Sequence, residues 1–311
     1  MRPVFIGGAG RSGTTMFGAM IAPAVGGVAP PESHFVHELP LERMDAQAAA
    51  RAIAGHWRFR IWEFEPGAPP IHVSDGPAYA RWLVEAYAAS QAIPRPAWWV
   101  DHTPENVLHW RTLFARFPDA KAIHLVRDGR GVMASIRPRP WGPTTVIGCA
   151  RYWRERVEVG LAAEAEWGER ILRVRYEDIL TRTSETLDRV ALFLGAERRE
   201  EAAITGQFRK PSYTEGQHAL VGRPPDPSRA NAWRAQVSAR DAEAFEALCG
   251  DLLHALDYTT DYAEPRPPGA AARVASAAQE AIAQGVVLPL KRAKQRGPFV
   301  ARALRSKLGG R

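Results

Sequence analysis

Apolar residues fall in short blocks along the chain, and the spacing within each block predicts its conformation. Val4 to Ile6 is an apolar run that leads through "GGAGRSG" into Thr14 to Ile21, which reads as strand, glycine turn and helix. Trp98 to Val100 predicts another strand. After it, Thr103 stands where an N-cap belongs, Pro104 takes the first helical position, and Val107, Trp110, Phe114 and Phe117 recur at helical spacing. Ala122 to Val126 predicts the next strand and Gly129 to Ile136 the next helix. Further on, Ile171 to Tyr176 reads as a strand. Ser184 to Leu194 reads as a helix with Leu187, Val190, Ala191 and Leu194 on one face and Gly195 closing it. Ser238 and Asp241 form a capping-box pattern ahead of Phe245, Leu248, Cys249, Leu252, Leu253 and Leu256. Between residues 36 and 96, helical patches are interleaved with Trp57, Phe59, Trp62, Phe64, Trp82 and Tyr87, and no register emerges.

Strands that alternate with helices imply right-handed crossovers and a parallel sheet. Because the first strand runs into a glycine loop and a helix, the expected fold is α/β, a P-loop-type three-layer fold with a central parallel sheet flanked by helices. A chain of 311 residues accommodates one large domain with an appendage. "AEPRPPG" at 263–269 reads as a hinge, so the expected division is a domain over 1–262 and a basic, Pro- and Ala-rich tail over 263–311.

The net charge of +7 would suit a nucleic-acid binder, but its distribution argues against one. The tail from Ala263 holds ten Lys or Arg and two Glu, which leaves 31 basic and 32 acidic residues in the body. Arginines of the body are therefore to be judged singly, as local anion ligands. Only Cys149 and Cys249 are present, too few for a disulfide framework and too far apart for a CxxC site. With an N-terminus that lacks the features of a signal peptide, this predicts a cytoplasmic location.

Gly8 and Gly13 have the GxxxxG spacing of a Walker loop, but Thr14 stands where its lysine belongs. Asp101 and Asp128 end strands without forming a Walker-B strand, which disfavours triphosphate hydrolysis. The loop retains backbone N–H groups at a helix N-terminus, the hydroxyls of Ser12, Thr14 and Thr15, and the cation of Arg11. That set holds a phosphate-like group without a metal.

"GRSGTTMF" is similar to the 5'-phosphosulfate loop of sulfotransferases that use 3'-phosphoadenosine 5'-phosphosulfate (PAPS), in the form found in the tyrosylprotein and carbohydrate branches. The resemblance implies PAPS as sulfuryl donor, no metal, and contacts from Arg11, Ser12, Gly13, Thr14 and Thr15. "LVRDGRGVMASIRPR" resembles the family's 3'-phosphate motif, which implies that Arg127 and Ser135 hold that phosphate with Arg139 beyond them. Tyr176 in "VRYEDIL" matches a tyrosine near the nucleotide, and Arg223 matches a basic residue of the loop that folds over it, with Arg229 as a rival. The resemblance runs from about residue 3 to 262.

Sulfuryl transfer to a hydroxyl needs a base for the acceptor proton and cations for the leaving phosphate. Glu32 in "APPESHF" lies 21 residues after Arg11, the separation of loop arginine and catalytic glutamate in the tyrosylprotein branch, and the resemblance makes it the base. "DHTPENV" departs from the family, which has a lysine where His102 stands. A histidine neutralises a leaving group only while protonated. His102 is accordingly either a pH-dependent cation beside Arg11 or a structural residue. The acceptor stays open among tyrosine, sugar, lipid and small metabolite.

Two other readings compete with this one. A P-loop nucleotide kinase predicts dependence on ATP and magnesium. A non-enzymatic anion or membrane-surface binding protein predicts that the tail segment "VVLPLKRAKQRGPFVARALRSKL", which alternates cations with apolar residues, rests on anionic membrane rather than in solvent.

Overall fold

The computed structural model describes residues 1–139, 141–199, 224–283 and 285. In chain order the elements are β1 (Arg2–Gly7), α1 (Thr14–Ala24), β2 (Gly27–Val28), α2 (Phe35–Glu38), α3 (Ala46–Gly55), α4 (Trp57–Arg60) and α5 (Gly76–Ser90). They continue with β3 (Trp98–Asp101), α6 (Trp110–Arg116), β4 (Lys121–Val126), α7 (Gly129–Ile136), α8 (Val146–Trp167) and β5 (Ile171–Arg175). The last helices are α9 (Tyr176–Thr181), α10 (Thr183–Leu194), α11 (Ala239–Ala255) and α12 (Ala270–Ile282).

The five strands form one sheet in the order β2-β3-β1-β4-β5, and every pairing is parallel. β1 lies at its centre, with Val4 opposite Val100 on one side and Ile6 opposite Ile123 on the other. A parallel sheet is covered on both faces, so its inner strands are buried along nearly their whole length, as β1 from Pro3 to Gly7 and β3 from Trp98 to Asp101 are. Val4 and Ile6 join Phe17 and Ile21 of α1 and Leu187, Val190 and Leu194 of α10 in one core layer. Phe5 points the other way, 5.6 Å between ring centres from both Trp99 and Phe117. Helices thus flank a central parallel sheet, the architecture expected from the alternation of apolar blocks.

The chain divides into two compact units, one of 1–127 and 156–230, the other of 128–155 and 231–311. The first contains the whole sheet. In the second, the buried guanidinium of Arg130 bonds Asp128 through Nε at 3.0 Å and Nη2 at 2.7 Å, pairs with Glu246, and lies 4.1 Å over the Trp233 ring. Glu246 also accepts from the backbone N–H groups of Asp261 and Tyr262, which fastens the "DYTTDY" segment.

Several local expectations are modified by packing. Ser238 caps α11 by accepting from Asp241 N at 3.1 Å, and Gly195 closes α10 at φ 68°. Thr103, by contrast, does not cap with its side chain. A 3-10 turn occupies Pro104–Leu108 and the α-helix begins only at Trp110, because the Thr103 hydroxyl is taken by the backbone N–H of Ser33 at 2.9 Å. Beyond the expected boundary at Tyr262 the chain forms α12, whose buried Glu280 accepts from Thr144 N and Thr145 N, each at 2.8 Å. The basic tail segment 286–308 lies outside the described residues. Among the described residues no helix is long and apolar enough to cross a membrane.

Candidate functional site

The loop between β1 and α1 is shaped by close backbone contacts. A Cβ on Gly8 would meet the carbonyl oxygen of Leu125 at 2.1 Å, so only glycine lets this segment lie against β4. Gly8 N donates to Pro104 O at 3.0 Å, and Ser12 N returns to Ala9 O at 3.0 Å. Arg11 takes φ 76° and Gly13 φ 96°. Left-handed residues on either side of Ser12 turn backbone N–H groups to one side and make an anion-binding concavity. α1 then starts with no side-chain cap and no acidic residue in its first turn. Its open N–H groups and partial positive charge face an anion favourably. The Ser12 hydroxyl is buried without a hydrogen-bond partner among the described residues, and Thr14 and Thr15 are buried beside it. This donor set fits a phosphate-like group: cradle, hydroxyls and helix end are present before any ligand.

Arg127 closes one side of the loop. Its Nη1 donates to the backbone oxygen of Arg11 at 2.8 Å, and its guanidinium stacks 4.3 Å from the Tyr176 ring centre. The same ring lies where a Cβ on Gly13 would reach it at 2.7 Å. Arg11, Gly13, Arg127 and Tyr176 are therefore brought together. Ser135 and Arg139 belong to the second unit, where Arg139 Nε is 3.4 Å from the carbonyl of Ser135. Arg223 lies outside the described residues. Arg229, its rival, is exposed and pairs with Asp226 at 3.5 Å.

The turn after β3 organises the opposite side. Asp101 Oδ1 accepts from Thr103 N at 2.9 Å and from Asn106 Nδ2 at 3.0 Å. Thr103 then holds the backbone of Ser33, the residue after Glu32, while Pro104 holds Gly8. His102 is buried against α1, where a Cβ on Gly18 would come within 2.8 Å of its own Cβ. One short turn thus positions the glycine loop, His102 and Glu32.

Glu32 sits in a cluster that the motifs do not announce. Its Oε2 is 3.1 Å from His34 Nε2 and 3.5 Å from Arg58 Nη1, and its backbone oxygen accepts from Trp62 Nε1 at 3.4 Å. Burial pushes the carboxyl pKa up, but the hydrogen bond and charge of His34 and the charges of Arg58 and His102 prevail and bring it to about 2. Burial opposes the charge on His34 as well, yet its bonds to Glu32 and Glu38 raise it to about 9. His37, by contrast, is pushed down to about 3 by burial and by the charges of His109 and His34. His34 and Arg58 were missed by sequence reasoning. His34 is only two residues from Glu32, so that proximity was a signal; Arg58 comes from α4, where none existed.

The model of the sulfotransferase family matches residues 3–200. No curated protein matches the chain in sequence. Among solved structures, the sulfotransferase domain from the curacin biosynthetic pathway superposes with a TM-score of 0.57 at 18% identity, covering 84% of this chain and 99% of that one. The sulfotransferase domain of the Synechococcus PCC 7002 olefin synthase gives 0.57 at 20% identity, covering 83% and 95%. At these identities the superpositions speak for the fold, and the family rests on the match over residues 3–200: this chain belongs to the sulfotransferase family.

Proposed function

We propose that the protein transfers the sulfuryl group of PAPS to a hydroxyl acceptor, with Glu32 as general base and no metal in the chemistry. The carrying observation is the loop itself: an uncapped helix N-terminus, a buried Ser12 hydroxyl without a partner among the described residues, and Arg11 in place of a Walker lysine. Arg11, Ser12, Gly13, Thr14 and Thr15 hold the 5'-phosphosulfate, and Arg127 and Tyr176 flank them. The motif, rather than geometry, assigns Ser135 and Arg139 to the 3'-phosphate and Arg223 to the covering loop. PAPS supplies the sulfuryl group; the chain supplies cations and a base.

Glu32 is a carboxylate at neutral pH and takes the acceptor proton as the oxygen attacks. Its low pKa makes it a weak base, and the negative charge of a bound donor raises that pKa toward the useful range. Arg11 stabilises charge on the leaving phosphate, assisted by His102 while it is protonated. Two free, buried cysteines accord with a reducing cytoplasm.

Thermal stabilisation tests the reading, because a ligand of the folded state raises apparent stability by mass action. 3'-Phosphoadenosine 5'-phosphate shifts Tm upward, and ATP with magnesium does so far less. A large shift with ATP and magnesium alone would favour the kinase instead.

A further inference from the structure

We infer that His34 is the positioning residue of the base: it grips one oxygen of Glu32 from behind and leaves the other presented to the acceptor. The inference rests on Glu32 being the base and adds the group that aims it. Among the described residues the hydrogen bond of the Glu32 carboxylate falls on Oε2, from His34 Nε2 at 3.1 Å, and the nearest approach of Arg58, Nη1 at 3.5 Å, is to the same oxygen. A carboxylate held by one oxygen has its remaining lone pairs fixed in direction. That is the orientation a general base needs before the acceptor arrives.

His34 is itself immobilised from its other side. The ring is buried, and Nδ1 faces Glu38 Oε1 at 3.5 Å across one helical turn. The second oxygen of Glu38 is bonded by His56 Nε2 at 2.9 Å. A chain of alternating carboxylates and imidazoles, Glu32–His34–Glu38–His56, therefore runs from the base to the surface, where Glu38 is half-exposed. The imidazole lies between two carboxylates, hydrogen-bonded to Glu32 through Nε2 and ion-paired with Glu38 through Nδ1, which restricts its ring plane. The Ser33 N–H bond to Thr103 and the Trp62 bond to the Glu32 carbonyl fix the backbone on which this contact depends. Glu105, 3.9 Å from His34 Nε2, Arg58, His102 and the His37 and His109 rings are further charged and titratable groups around the pair.

His34→Ala and His34→Gln separate orientation from charge. Glutamine keeps an N–H for Glu32 but carries no charge. In steady-state kinetics on the full chain, His34→Ala lowers kcat about 100-fold, the cost of a misplaced catalytic group, while the Kd for 3'-phosphoadenosine 5'-phosphate changes less than about twofold on the same argument that the loop is untouched. His34→Gln recovers much of that kcat. Both variants move the acidic limb of kcat/KM to higher pH, since Glu32 has lost a neighbouring cation and is protonated sooner. A structural role alone would lower Tm and leave that limb in place. Glu32→Gln serves as the control: if it keeps its turnover the base assignment fails, and if it is inactive while His34→Ala has wild-type kcat and pH profile, the positioning role fails.

Discussion

The Nη1 of Arg127 donates to the backbone oxygen of Arg11 at 2.8 Å, so the strand end of one motif holds the glycine loop of the other. The guanidinium is fixed in turn by stacking on Tyr176. Arg127→Ala removes both the cation and the clasp. Hydrogen bonds to charged groups contribute about 1.5–3 kcal/mol, so the variant binds 3'-phosphoadenosine 5'-phosphate about 10- to 100-fold more weakly by calorimetry. Arg127→Lys recovers only part of this, because an ammonium neither stacks as well nor forks. Unchanged affinity in the alanine variant would remove Arg127 from the site.

Arg11 takes a backbone conformation that a residue with a Cβ adopts at a cost of about 1–2 kcal/mol. A comparison of Arg11→Gly with Arg11→Ala isolates that cost, since both remove the cation. The glycine variant melts higher than the alanine variant by about 1 kcal/mol of unfolding free energy, and both lose donor affinity by at least about tenfold. Equal stability in denaturant titrations would mean that the loop relaxes when the side chain goes. Equal affinity to wild type would mean that Arg11 serves the fold and not the donor.

How far the sequence announced this site depends on whether a group's role is local. Gly8, Arg11 and Gly13 lie in one contiguous loop, where spacing alone sets geometry, and the strand ends carrying Arg127 and Tyr176 follow from apolar runs. Thr103 was legible only as a helix cap. Its actual work, holding Ser33, depends on a residue 70 positions away. Arg58 was invisible for the same reason, since α4 meets Glu32 only through tertiary packing. The aromatic segment 36–96 lacked periodicity because its rings do not line one helix face. Phe35, Phe59, Trp62 and Tyr87 form a cluster across short turns, with centroids 5.3–5.9 Å apart between successive partners.

The Glu32–His34 pair also leaves a signature in stability against pH. His34 has a folded pKa near 9 against an ordinary 6.5, so its contribution is complete below about pH 6.5 and is lost as pH rises through about 9. Glu32 has the opposite sign: its depressed value makes its contribution complete above about 4.5, and that contribution is lost as pH falls toward about 2. His34→Gln therefore flattens the alkaline fall in ΔG between pH 6.5 and 9, and Glu32→Gln reduces it because the raised pKa loses its first partner. Denaturant melts at pH 6 and pH 9 suffice. An undiminished alkaline fall in His34→Gln would assign that limb to other groups.

The end of the chain supplies a test of where folding stops. Glu280 on α12 is buried, and its Oε1 accepts from Thr144 N, Thr145 N and Thr145 Oγ1 at 2.8, 2.8 and 2.9 Å. The Thr145 hydroxyl in turn accepts from Gly148 N at 3.0 Å in the first turn of α8. One carboxylate therefore anchors the start of α8, the longest helix among the described residues. Truncation after Tyr262 leaves those donors without their acceptor, at about 1–3 kcal/mol for each one that stays buried. Tm then falls by about 5 °C or more in a domain of this size. Glu280→Ala in the full chain reproduces most of the loss, and Glu280→Gln, which keeps an acceptor oxygen but no charge, reproduces less. If the truncated chain melts at the wild-type temperature, the folded domain ends at the proline-rich hinge and α12 contributes nothing to it.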